Sequence, residues 1–187
     1  MRSDHVSPAL LRVLDRLDTL AQITSNLAVT LVQNPLAEAL LGVQTAHTGR
    51  RRSLFHRWFT DPAERRRYPE ADHDVHSRTY VADLRAVHGR DRTDAQARAL
   101  VERLRRESAE FAGLWDRHEV AVRRDTRKRI IHPTIGLLEL DCQVLTAESR
   151  TERLVVFTAS PGSEDAARLE LLSVVGGQSF ADAAPCA

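Results

Sequence analysis

The chain has 187 residues, of which 42% are hydrophobic and 28% charged, the balance of one soluble globular domain of ordinary size. A formal net charge of +1 argues against nucleic-acid binding by the domain as a whole. The sequence predicts no membrane span, no signal peptide and, with two cysteines, no disulfide framework. We therefore expect a cytoplasmic location and no membrane contact.

The first element is predicted to be a helix that begins near residue 8. Ser7 suits the capping position and Pro8 the first helical position. One apolar stripe then follows at the helical spacing. It is formed by Leu10, Leu11, Leu14 and Leu17.

The next segment predicts a hairpin and a short helix. Residues 21–33 are rich in β-branched and apolar side chains, and Asn26 is suited to a turn between two strands. Asn34 and Pro35 then begin a helix over residues 36–41, which Gly42 ends.

The middle of the chain is predicted to be helical. A basic loop at 49–52 precedes an aromatic helix and a short helix that begins at Asp61-Pro62. A long helix is predicted over 74–87, with a turn at 89–92. Thr93 and Gln96 form a capping box for a further helix, whose apolar residues continue along one face to Trp115.

The last part predicts strands at 119–122, 129–132, 135–145 and 153–159, followed by a helix from residue 163 to about 174. In the third strand, Leu138, Leu140, Cys142 and Val144 alternate with polar residues. This period of two is typical of an antiparallel sheet with one covered face. The order of elements predicts an α+β fold with helices on one face of the sheet.

A series of motifs runs from residue 6 to about residue 175. The most specific is Ser108-x-x-Phe111-x-x-Leu114-Trp115-x-x-His118-x-Val120. Others are Asn34-x-x-Ala37-x-x-Leu40-Leu41-Gly42, Phe59-x-Asp61-Pro62 and His132-Pro133-x-x-Gly136-x-Leu138-x-Leu140. Together they resemble the MmyB-like ligand-binding domain of bacterial transcription regulators.

The resemblance implies a PAS-like antiparallel β-sheet with helices packed on one face, and a pocket between them for a small amphipathic molecule. A fatty acid, a butenolide-like signal and an aromatic metabolite all suit such a pocket. The implied protein is a sensor that reaches DNA only through a helix-turn-helix domain, which is not among these residues. Residues 1–20 are expected to form a linker or dimer helix, 21–175 the sensor and 176–187 a disordered tail. A homodimer is left open, because such regulators usually read two half-sites.

We expect large apolar side chains to line the pocket, with two histidines as polar groups. His118 and His132 lie in the motifs and can bind a carboxylate or lactone oxygen. A close-packed core and purely structural histidines are the alternatives that the sequence leaves open. The predicted ligand-binding residues are Trp58, Leu84, Leu104, Phe111, Trp115, His118, His132, Leu138, Leu140, Val156 and Phe157.

The sequence gives little support for a catalytic site or a metal site. His73-x-x-His76 has zinc-binding residue types, but neither a cysteine nor an HExxH pattern joins it, so no metal is predicted. Cys142 is interpreted as a small core residue, and no motif predicts a nucleotide cofactor or acyl transfer. We predict neither an enzyme nor a cofactor. The basic runs favour a solvated surface with helical ion pairs. Residues 123–129 are the exception, because this run is predicted to be a loop or hairpin with few compensating acidic residues and could contact DNA phosphates or an acidic partner. The alternative function is a PAS-like protein-interaction module without a small ligand.

Overall fold

The computed structural model describes residues 6–119, 127–147 and 151–179. These residues form eight α-helices and a five-stranded antiparallel sheet, which confirms the predicted α+β fold. The helices are α1 (Pro8–Leu14), α2 (Pro35–Leu41), α3 (Leu54–Thr60), α4 (Pro62–Arg65), α5 (His73–Arg90), α6 (Ala95–Glu107), α7 (Ala109–Asp116) and α8 (Glu164–Ser179). The strands are β1 (Leu20–Ser25), β2 (Thr30–Gln33), β3 (Arg127–His132), β4 (Gly136–Thr146) and β5 (Glu152–Thr158). None of the helices in the described ranges is long and apolar enough to span a bilayer.

The strand order is β2-β1-β5-β4-β3, so β1 and β5 pair near the centre of the sheet although they are far apart in the chain. Their register pairs Gln22 with Val155 and Thr24 with Arg153. Because successive strand residues point to opposite faces, these four side chains share one face, and Ile23 lies on the other.

Helices cover the two faces unequally. Helices α2 and α8 pack on the face that carries Gln22, in one cluster with Leu138 and Leu140. Helices α3, α5, α6 and α7 form a second cluster around Trp58 on the same side. Helix α1 lies on the opposite face, where its predicted apolar stripe packs against β1 and β5. The prediction that helices lie on one face of the sheet therefore holds for α2 to α8. Helix α1 lies on the other face, which the prediction did not include.

The structure corrects three helix boundaries. The cap of α6 is Asp94, whose carboxylate accepts hydrogen bonds from the backbone N of Gln96 and Ala97, so the predicted Thr93 capping box is wrong. The helix predicted to continue to Trp115 is split at Ser108, whose Oγ caps α7 by accepting from Phe111 N. The turn predicted at 89–92 lies slightly later in the chain, because α5 continues to Arg90 and residues 92 and 93 form the turn before α6. Gly89 destabilises the helix by about 1 kcal/mol relative to alanine, and the burial of other side chains of α5 offsets this cost.

Some predictions fall on other ranges or outside the described residues. Residues 49–52 form a 3-10 helix rather than a loop. Of the strand predicted at 119–122, only Glu119 is described, and it is not in a strand. The part of the basic run 123–129 that is described belongs to β3, and residues 180–187 of the predicted tail lie outside the described ranges. Helix α8 extends beyond its predicted end near residue 174 to Ser179.

Candidate functional site

A cavity of about 320 Å³ lies between the sheet and the helices that cover it. Its floor is the face of β1, β4 and β5 that carries Gln22, and its roof comes from α3 and α5. Tyr68, which follows α4, closes part of the wall. The apolar side chains of the wall are Ala28, Leu41, Leu54, Phe55, Val144, Val155 and Phe157.

An aromatic cluster positions the two tyrosines of the wall. The Trp58 ring is buried and meets the rings of Tyr68 and Tyr80 edge-on, at centroid distances of 5.6 and 5.3 Å. Trp58 Nε1 donates a hydrogen bond to Ser77 Oγ over 2.8 Å, which fixes the indole on α5. Trp58 itself therefore acts as a support behind the cavity wall, because edge-to-face aromatic pairs hold neighbouring rings in place.

A buried ion pair forms one polar part of the wall. Arg57 Nε donates to Glu64 Oε2 over 2.7 Å, and the two residues are 2% and 6% exposed. Arg57 Nη2 also donates to Gln44 Oε1, and Nη1 donates to the carbonyl oxygen of Arg51, each over 2.6 Å. This network satisfies a guanidinium that would otherwise be very costly to bury.

A second ion pair joins the floor to the roof. Arg153 Nη1 of β5 lies 3.3 Å from Asp83 Oδ2 of α5, and both side chains are largely buried. Lys128 of β3 also lines the cavity, with its Nζ 6.0 Å from the centre of the Tyr80 ring. The wall thus contains charged groups in addition to the apolar surface.

Cys142 lines the same cavity as a free thiol. It was interpreted as a small core residue, and in the structure it is partly buried beside Phe157, its register partner. Burial raises the pKa of the Cys142 thiol to about 11. The thiol is therefore protonated near neutral pH and is a weak nucleophile.

Gln22 is the most unusual residue of the floor. It is 8% exposed in a strand whose other residues are almost all buried. Its Oε1 is buried and accepts no hydrogen bond from any described residue. A buried acceptor without a partner costs free energy, so folding stability alone does not favour glutamine at this position.

Of the predicted ligand-binding residues, Phe157 lies on the cavity wall. Leu138 and Leu140 pack under α2 and α8, and Val156 faces α1 on the opposite side of the sheet. The large side chains of the helical cluster lie behind the wall, away from the cavity itself: Trp58, Leu84, Leu104, Phe111 and Trp115. For these residues a role in ligand binding stays a prediction.

The predicted histidines make local contacts. His118 is exposed, with φ 51°, and its Nδ1 lies 2.7 Å from the carbonyl oxygen of Asp116. His132 Nε2 lies 3.2 Å from the carbonyl oxygen of Ala39 and so joins β3 to α2. Neither lies on the wall of the 320 Å³ cavity, and their proposed contact with a ligand stays untested.

The histidine pair 73 and 76 serves packing in the structure. His73 Nε2 lies 3.1 Å from the carbonyl oxygens of Arg65 and Tyr68, and His76 packs edge-on against Trp58. Among the residues that the structure describes, no group of three or more His, Cys, Asp or Glu side chains could hold a metal ion.

Sequence reasoning missed the polar part of the wall. The available signal was the presence of polar residues inside otherwise apolar segments, because a buried strand or an aromatic helix seldom carries an amide or a guanidinium without a reason. The missed residues include Gln22, Arg57, Tyr68, Tyr80 and Arg153.

An α+β domain with a cavity between sheet and helices that combines apolar surface with a few buried polar groups has the features of a small-molecule binding domain. Residues 6–172 match the family model of the MmyB-like transcription regulator ligand binding domain. The match covers most of the chain, so the chain belongs to this family. No match to a curated protein was found.

Proposed function

We propose that the cavity binds a small amphipathic molecule and that its occupancy is relayed to a DNA-binding domain or to a partner protein. The main support for this proposal is the composition of the cavity wall, where apolar side chains adjoin buried polar groups that can orient a ligand. The position of the cavity between sheet and helices supports the PAS-like arrangement implied by the resemblance. A cytoplasmic location is part of the same proposal.

Strand β5 is the proposed relay, because its two faces contact different partners. Arg153, Val155 and Phe157 face the cavity. Leu154 and Val156 face α1 on the other side of the sheet. A ligand that favours one position of β5 would also favour one position of α1, the helix nearest to any domain that precedes this one.

Catalysis is not part of the proposal. Cys142 is the thiol on the cavity wall, and burial raises its pKa to about 11, which disfavours the thiolate that a nucleophilic mechanism needs.

A protein-interaction module is the second candidate function. Ile131 and Leu137 form a cross-strand pair on the face of the sheet opposite the cavity, and they are 42% and 45% exposed. Exposed apolar side chains next to each other suit a protein contact, including one between two copies in a homodimer. This candidate becomes the preferred one if no small molecule binds.

The proposed function can be tested with adjacent substitutions on β4. Val144 lines the cavity, whereas Leu145 is 57% exposed on the other face. We expect decanoate to bind the unmodified domain by isothermal titration calorimetry. Val144→Trp should weaken that binding at least tenfold, because the indole occupies cavity volume, and Leu145→Trp should not. Equal effects of the two substitutions, or no binding to the unmodified domain, would overturn the proposal for this ligand class.

A further inference from the structure

Two tyrosine hydroxyls of the cavity wall are open to a ligand. The rings of Tyr68 and Tyr80 both meet the ring of Trp58 edge-on, so one indole fixes the two phenols. Neither hydroxyl has a hydrogen-bond partner among the described residues, and neither belongs to the fully buried polar atoms that lack one. Each hydroxyl therefore has accessible surface, and both residues line the same cavity.

Arg67 adds a guanidinium to the same wall. Its Nη1 donates a hydrogen bond to the carbonyl oxygen of Leu41 over 2.5 Å, and its own carbonyl oxygen accepts from Ile131 N over 2.7 Å. Its Nε and Nη2 have no partner among the described residues and are not fully buried. No described carboxylate forms an ion pair with Arg67, whereas Arg57 and Arg153 each pair with one.

The three side chains are near enough to influence one another electrostatically. Burial raises the pKa of the Tyr68 phenol, Glu64 raises it further, and Arg67 lowers it. Burial also raises the pKa of the Tyr80 phenol, and Tyr68 adds to this rise. Both phenols are therefore protonated near neutral pH and can donate a hydrogen bond. Glu64 lies 2.7 Å from Arg57 in an ion pair, so its charge is already balanced.

We infer that the ligand of this cavity carries a carboxylate, which Arg67, Tyr68 and Tyr80 bind together. Three donors suit a group that has only acceptor oxygens, and hydrogen bonds to an ionised acceptor are stronger than those to a neutral one. An uncharged alcohol or lactone can use the phenols but leaves the charge of Arg67 unbalanced. This inference rests on the proposed function and narrows it from an amphipathic molecule to a carboxylic acid with an assigned site for its head group.

The test compares decanoate with decanol, which has the same chain length and no charge, by isothermal titration calorimetry. We expect the unmodified domain to bind decanoate about tenfold more tightly or better, because hydrogen bonds to charged groups contribute more than those between neutral groups. Arg67→Gln should bring the ratio of the two affinities close to one. The matched control is Arg66→Gln, which changes an exposed neighbour that does not line the cavity and should leave the ratio unaltered.

The tyrosines are tested with Tyr68→Phe and Tyr80→Phe, which keep the rings against Trp58 and remove only the hydroxyls. Each substitution should weaken decanoate binding about fivefold. If Arg67→Gln does not fold, as judged by circular dichroism, these two variants decide, and an undiminished affinity for decanoate in both contradicts the assignment.

The remaining outcomes separate the inference from the proposed function. Equal affinities of the unmodified domain for the two compounds, or tighter binding of decanol, would overturn the inference and leave a small-molecule cavity standing. A preference for decanoate that survives Arg67→Gln would overturn the role of Arg67. Failure of both compounds to bind the unmodified domain would overturn the proposed function together with the inference.

Discussion

Glu152 and Arg153 are neighbours in β5 and bind groups on opposite faces of the sheet. Glu152 Oε1 accepts a hydrogen bond from the backbone N of Ser7 over 3.0 Å, directly before α1. Arg153 pairs with Asp83 at the cavity. Because strand residues alternate between faces, one backbone segment contacts both the cavity and the segment that leads into the N-terminal helix.

Removal of the Glu152 carboxylate should loosen α1. In Glu152→Ala, the partly buried hydrogen bond from Ser7 N is lost, and a typical hydrogen bond contributes about 1 kcal/mol. We expect faster amide hydrogen exchange in residues 8–14, followed by mass spectrometry, with little change in α6. Glu170→Ala, an exposed position on α8, is the matched control. Unchanged exchange in α1 would contradict the proposed docking of that helix.

The Arg57–Glu64 pair should be essential for folding stability. Arg57→Met leaves Glu64 and the carbonyl oxygens of Arg51 and Arg52 without their buried donor. Loss of one partner of a buried pair costs about 3–5 kcal/mol, and we expect a loss of this size in urea unfolding. The double substitution Arg57→Met with Glu64→Met should be less harmful than the sum of the single changes.

The control for that prediction is a surface ion pair. Arg105 and Asp116 lie 2.8 Å apart with side chains 46% and 58% exposed. Arg105→Met should change the free energy of unfolding by less than about 1 kcal/mol. Similar losses for Arg57→Met and Arg105→Met would show that burial does not determine the contribution of the Arg57 network.

Asp72 should make stability depend on acid pH. The hydrogen bond from Arg129 Nε, 2.9 Å long, lowers the pKa of Asp72 and ties the segment before α5 to the edge strand β3. A lowered pKa in the folded state contributes stability above the pKa of an unfolded aspartate, about 4, which is lost as pH falls through the lowered value.

The measurement is urea unfolding of the unmodified domain and Asp72→Asn at several pH values. We expect Asp72→Asn to be less stable near neutral pH by about 0.5–1 kcal/mol, since the pair is partly exposed. The difference should disappear once the pH lies below the lowered pKa of Asp72. A difference that is constant with pH would mean that the aspartate contributes by packing and not by charge.

Gln22→Met should stabilise the domain in the absence of ligand. The substitution replaces an amide whose oxygen is buried without a described partner by an apolar side chain of similar length. Removal of that desolvation penalty is expected to add about 1 kcal/mol to the free energy of unfolding. A destabilised Gln22→Met domain would show that Oε1 is satisfied in the free protein.

The fold was predictable where local patterns and tertiary packing agree. The alternation around Leu138 and Leu140 predicts β4 because that strand has one covered face, and Asn34 predicts α2 because its side chain caps the helix. Asn34 also donates to Thr19 O and accepts from Ala21 N, which ties α2 to β1. That second role depends on a tertiary contact that no local pattern shows.

The break at Ser108 was missed because helical spacing of apolar residues continues through it. A serine inside such a pattern is compatible with a helix, and only its observed φ of −137° shows that it begins a new one. The local propensity of a serine differs little between a position inside a helix and a position that begins a new one. The packing of α7 against α5 therefore determines whether the helix continues or breaks at Ser108.

The site was harder to predict than the fold. Large apolar residues such as Trp58 and Leu84 were expected on the wall, but close packing fills the space around them. A cavity persists where side chains leave space unfilled, and here polar groups such as Gln22 and Tyr68 border it. Their convergence follows from the pairing of β1 with β5 and from the position of α5, which a single sequence does not specify.

The central claim is that the cavity holds a small molecule, and native mass spectrometry of the purified domain tests it most directly. The account predicts an additional mass of a few hundred daltons that disappears on denaturation. The same adduct should be present in Leu145→Trp and reduced or absent in Val144→Trp. An unmodified domain that shows only its own mass, and still does so after incubation with decanoate, would contradict the account and favour a protein-interaction module.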